Sequence, residues 1–133
     1  GWNNRGGIAI TANDYHVIVY QLLAYLYECL KEGRDVSLVA LSRFRQDIPI
    51  NDRYWQYILR HLVEERLIEN VKYVLVMNSR VKQLDFTEST TITPFGISFL
   101  TEEPMMKKVC DVLLDGAKTV ATSVISTYVS NKL

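Results

Sequence analysis

The sequence predicts a mainly helical α+β fold, on three observations. Three segments with apolar residues at helical spacing come first, and the second and third open on good N-cap residues, Ser37 and Asn51. A stretch rich in β-branched and aromatic residues follows from Ile68, with a turn signal at Asn78-Ser79. After it, Thr93-Pro94 and then Pro104 start further helical segments.

The first helix is expected from Asn13 or Asp14 to Lys31, with Gly33 ending it. Tyr15, Ile18, Val19, Leu22, Leu26 and Leu30 form one apolar stripe, and Val17, Tyr20, Ala24 and Tyr27 form a second on nearly the opposite side. A helix apolar on two faces has to be covered on both. The second helix starts at Ser37 and turns Leu38, Leu41 and Phe44 inward; Pro49 stops it. The third runs from Asn51 to near Arg66 and is plainly amphipathic. Trp55, Ile58, Leu59 and Leu62 share one side, and Arg53, Gln56, Tyr57, Arg60 and Glu64 share the other.

Ile68 to Met77 reads as a strand, and Val81 to Phe86 with Thr90 to Thr93 as its return, broken by an irregular stretch. Two or three short helices followed by a hairpin is the order of a winged helix-turn-helix, with the third helix as recognition helix and the hairpin as wing. Thr93 caps the next turn, Pro94 takes its first position, and Phe95, Phe99 and Leu100 are expected to pin it to the core. The last helix begins at Pro104. Met106, Val109, Cys110, Leu113, Ala117, Val120, Val124 and Tyr128 form its stripe, and at ~1.5 Å per residue it would reach roughly 40 Å by Ser130. The Val, Thr and Ser of 119–129 are weak helix formers, so its far end is expected to need a packing partner. The resulting organisation is a flexible arm over 1–12, a winged-helix domain over 13–103, and a C-terminal helix over 104–133 packed on the first helix, a partner, or both.

Composition narrows the function. With 48% hydrophobic and 23% charged residues the chain has the balance of a globular domain. Its 15 basic and 15 acidic residues cancel, which counts against a uniformly basic nucleic-acid coat. The charge is uneven, however. Arg34 to Lys82 holds nine bases against six acids, a surplus of three that the flanks offset. Within that segment Arg53, Gln56, Tyr57 and Arg60 occupy the outer face of the third helix, where Arg and Gln suit guanine and adenine edges. Arg43, Arg45, Arg80 and Lys82 are placed to meet phosphates. The alternative is a solvated face in which Arg60 pairs with Glu64, and Asp52 and Glu64 oppose tight DNA binding.

Surplus apolar surface points elsewhere. Tyr20 and Tyr27 on the first helix, and Met106, Val109, Leu113, Val120, Val124 and Tyr128 on the last, form a candidate partner or homodimer interface. Simple packing within one chain is the competing reading. No enzyme is expected. Gly6-Gly7 lacks the context of a phosphate loop, His16 and His61 lack ligand-spaced partners, and Glu64-Glu65 and Glu102-Glu103 point apart on a helix. Cys29 and Cys110 sit on apolar stripes, as free buried thiols of a reducing compartment would. No cofactor or metal is implied. Gly1 to Gly7 lacks the apolar core of a signal peptide and no run approaches ~20 apolar residues, so a cytoplasmic protein without a membrane partner is expected.

Three segments together resemble the YjcQ family of small bacterial and phage proteins. They are Ile18 to Arg34 (IVYQLLAYLYECLKEGR), Ile50 to Glu69 (INDRYWQYILRHLVEERLIE) and Ile92 to Lys108 (ITPFGISFLTEEPMMKK). The Tyr54-Trp55 pair, the Ile-Thr-Pro-x-Gly turn and the Met-Met-Lys-Lys start of the last helix carry the likeness. It implies a compact domain of helices and a small sheet, often encoded in phages or prophages, in a bacterial cell or phage-infected host. It carries across no catalytic residue and no binding site. Two functions therefore stand open: a regulator that binds duplex DNA as a dimer through its last helix, or an interaction module for a phage or host protein.

Overall fold

The computed structural model describes residues 14–77, 80 and 82–116, with only the backbone of 114–116. The elements run α1 (Tyr15–Glu32), α2 (Leu38–Asp47), α3 (Asp52–Glu64), β1 (Ile68–Glu69), β2 (Lys72–Leu75), β3 (Lys82–Asp85), β4 (Thr91–Ile92), α4 (Pro94–Glu102) and α5 (Pro104–Gly116). This is a mainly helical α+β arrangement with small antiparallel sheets. The expected arm over 1–12, the turn at Asn78-Ser79 and the stripe positions Ala117, Val120, Val124 and Tyr128 lie outside the described residues.

The helix boundaries follow from local chemistry. Gly33 takes the left-handed conformation at φ 66° and closes α1, its N–H donating to the Leu30 carbonyl. The Ser37 hydroxyl accepts from the Ala40 N–H, and the Asn51 side chain from the Tyr54 N–H, each satisfying a donor of a first turn.

α1 is the central element, packing against α3, α4, α5 and β4. Val17, Ile18, Val19, Leu22, Leu23, Tyr25, Leu26 and Cys29 are buried along it, while Tyr20, Ala24 and Tyr27 are half-buried against the core. Leu30, expected on the first stripe, is exposed, because it lies on the last turn beyond the elements that cover the helix. On α2 the inward positions are Ala40, Leu41 and Phe44; Leu38, at the first helical position, stands exposed at the rim. Trp55 from α3 lies between Phe44 and Phe86, with ring centroids 6.4 and 6.2 Å away.

β1 pairs with β4 and β2 with β3, both antiparallel, as the inner and outer stages of one interrupted hairpin. Residues 70–71 separate the stages on one arm and 86–90 on the other, which is the irregular stretch expected between strands. Asn70 turns the chain at φ 67°. Its carbonyl accepts from the hydroxyls of Thr87 and Thr90 at 2.7 and 2.9 Å, so the bulge is tied by side chains where the ladder stops.

The turn into α4 is a latch. The Thr93 hydroxyl donates to the Arg66 carbonyl at 2.6 Å and accepts from the Gly96 N–H at 2.9 Å, while the Thr93 N–H donates to the Leu67 carbonyl. Gly96 sits against that same carbonyl: a Cβ there would lie 2.2 Å from the Leu67 oxygen. Facing Gly96 inward turns Phe95 out, and it is 62% exposed rather than pinned to the core. Leu100 is buried and Phe99 half-buried.

α5 folds back on α1. Val109 and Leu113 pack against Val17 with Tyr20 beside them, and Met106 enters the main core. No described helix is long and apolar enough to cross a membrane.

Candidate nucleic-acid interface

The outward face of α3 and the start of β3 enclose a groove of about 530 Å³. Arg53, Tyr57 and Arg60 come from the helix and Lys82 and Gln83 from the strand, with Gln56 between them and Asp52 at one end. Helical spacing places Arg53, Gln56, Tyr57 and Arg60 along one face, and the interrupted hairpin swings β3 against it. Five of the eight residues expected at a DNA surface therefore line one concavity.

Its charge is positive. Among the described residues no ion pair engages Arg53, Arg60 or Lys82, and the Arg60–Glu64 pair foreseen as an alternative is absent. The single acid of the lining, Asp52, is spent on Arg45 at 2.5 Å. Tyr57 is exposed yet held in place, its ring 4.3 Å from His61 and 6.2 Å from Tyr15, with the Arg60 guanidinium 5.8 Å from its centroid. Burial, then the negative charge of Glu65, raises the Tyr15 pKa, so that ring stays neutral beside the groove.

Three expected contacts are placed otherwise. Gln56 is not free to read a base edge: its amide donates to the Leu84 carbonyl and accepts from the Leu84 N–H. Arg45 stacks 5.5 Å over Trp55 and pairs with Asp52, so it shields the acid rather than reaching outward. Arg43 and Arg80 are exposed but do not line the groove. Gln83 and the Asp52–Arg45 pair had no signal in the sequence, since both depend on how the ribbon and α2 meet α3.

Among the described residues of the expected partner surface, those from α5 are packed inside the chain. Met106, Val109 and Leu113 are buried at 0, 1 and 9% exposure, because α5 lies on the second apolar face of α1. Tyr20 and Tyr27 line a recess of about 520 Å³ between α1, α4 and α5, with Lys31, Lys107 and Asp111 at its rim. Cys110, half-buried there, is the hydrogen-bond partner of Tyr20; burial first, and that contact second, raise the Tyr20 pKa. Cys29 is buried as expected, and its thiol is pushed up by burial, which keeps it protonated. Among the described residues no three His, Cys, Asp or Glu side chains gather as a metal site.

The family model described as YjcQ protein matches residues 20–118, most of the chain. The chain belongs to the YjcQ family. No curated protein and no solved structure matches it. The YjcQ match takes in α3, the whole interrupted hairpin, the Thr93–Gly96 latch and α5, so the basic groove lies entirely within the family region.

Proposed function

We propose that this YjcQ-family chain is a winged-helix protein of phage or prophage type that binds duplex DNA as a transcriptional regulator. α3 is its recognition helix, and the β2–β3 ribbon is its wing. The observation that carries this reading is the groove between them, where Arg53, Arg60 and Lys82 have no ion-pair partner among the described residues and the single acid of the lining is paired with Arg45. Guanidinium groups along the outward face of a helix, without ion pairs among the described residues, suit the major groove, and a flanking cationic strand suits the adjacent phosphate backbone. Tyr57, held by the rings of Tyr15 and His61, adds an aromatic contact.

The test is fluorescence anisotropy on mixed-sequence duplex DNA across a salt series. Wild type should bind at low salt and weaken steeply as salt rises, with a log–log slope of about −0.9 per phosphate neutralised. Arg53→Glu and Arg60→Glu should abolish binding while leaving the circular dichroism melt in place. Absence of binding by wild type at low salt rejects the reading.

A second reading has its own observation. Tyr73, Leu75 and Met77 expose 61, 74 and 84% of their surface on the ribbon, which suits a protein partner better than phosphates. On that reading the same fold is an interaction module of phage assembly, or one that binds a host factor. Co-purification of one stoichiometric protein, persisting after nuclease treatment and lost on Leu75→Lys, would favour it over DNA binding.

A further inference from the structure

Among the described residues β2 pairs only with β3, which leaves its other edge without a described strand. The direction of the groups on that edge can be derived from Gln56. Leu84 sends its N–H and C=O to the Gln56 amide, away from β2. Tyr73 is registered opposite Leu84, so this is a non-hydrogen-bonded pair of the antiparallel ladder, and two residues on so is Leu75 opposite Lys82. The N–H and C=O of Tyr73 and Leu75 therefore point outward from the free edge. The strand is also apolar on both faces, with Tyr73 and Leu75 on one and Val74 on the other, all exposed. Such an edge is a template for a further strand.

We propose that this edge pairs with the same edge of a second copy of the chain, antiparallel about a two-fold axis at Val74, giving a four-stranded sheet. The register follows from parity and from charge. Outward-facing residues must oppose one another, so Tyr73 meets Leu75 of the second copy and Val74 meets Val74. Lys72, the one charge of β2, then falls opposite Val76 of the second copy, and no like charges face each other. Centring the axis on Lys72 would oppose two lysines. Centring it on Tyr73 would run Leu75 into the bulge at 70–71, where the strand ends.

The pairing closes at two copies. At Leu84 the outer edge of β3 is already occupied by the Gln56 amide, which acts as a substitute strand and stops the sheet from extending. The basic groove lies on the β3 side, so it stays open when β2 is covered. The proposal stands apart from DNA binding and is read without DNA.

The experiment places Val74→Cys in a Cys110→Ser background, Cys29 being buried. Mild oxidation should convert it to a covalent dimer on a non-reducing gel, whereas Lys72→Cys in the same background, with its counterpart four positions out of register, should remain monomeric. Sedimentation of the wild type should give a monomer–dimer equilibrium. Leu75→Pro removes an outward N–H while sparing the β2–β3 bonds, so it should stay monomeric with an unchanged thermal melt. A wild type that is monomeric at its highest soluble concentration, crosslinking no faster at Val74→Cys than at Lys72→Cys, or species larger than a dimer would each overturn the proposal.

Discussion

Gln56 and Leu84 are joined by two hydrogen bonds across 28 positions of sequence, the amide of one donating at 3.0 Å and accepting at 2.8 Å from the backbone of the other. The side chain thereby completes the ladder of β3 and fixes the angle at which the ribbon leaves α3. Gln56→Met would leave the N–H and C=O of a buried residue unpaired and should cost about 1–3 kcal/mol in denaturant unfolding. Exchange of the Leu84 amide proton should quicken at the same time. Gln56→Glu keeps the acceptor and should fall between the two.

Gly96→Ala tests the latch at the end of the ribbon. The new methyl would sit 2.2 Å from the Leu67 oxygen and 2.7 Å from Ile92 Cγ1, and the first of these is backbone that cannot swing aside. A loss of about 3 kcal/mol is expected in thermal unfolding. Phe95→Ala, one residue away but exposed, should stay within about 0.5 kcal/mol of wild type.

Gln21 is 2% exposed on α1, and neither end of its amide has a hydrogen-bond partner among the described residues. Gln21→Leu fills similar space without the desolvation penalty and should stabilise the protein by about 1 kcal/mol. A destabilised variant in the same denaturant assay would show that the amide has a partner in solution.

Stability should fall at alkaline pH. The Tyr25 hydroxyl accepts from the Ser37 N–H, and burial pushes its pKa up to about 12 from 10.0. A folded pKa above the unfolded one contributes stability that is full below pH 10.0 and is lost as pH rises toward about 12. Burial acts in the same direction on Tyr15, Tyr20 and Tyr54. Urea midpoints measured across that window should decline, and Tyr25→Phe should flatten the decline while lowering the midpoint at neutral pH through the lost hydrogen bond.

The helices, the caps of α2, α3 and α4, and the order of elements are legible in the amino-acid sequence. Ser37, Asn51, Gly33 and Thr93 act within three or four residues of themselves, and the amphipathic period of α3 is local, so both are written in spacing. It also placed Arg53, Tyr57 and Arg60 on one outward face. Which partners those and the neighbouring polar groups meet depends on packing between distant segments. Gln56 and Arg45 have the chemistry to meet DNA, yet each found a partner brought near by another element, Leu84 in one case and Asp52 with Trp55 in the other. The stripe of α5 reads equally well as an interface or as core, and its described positions Met106, Val109 and Leu113 are core because the second face of α1 lay within reach. Periodicity states which side chains must leave water; what covers them depends on contacts between segments far apart in the chain, and spacing carries no record of those.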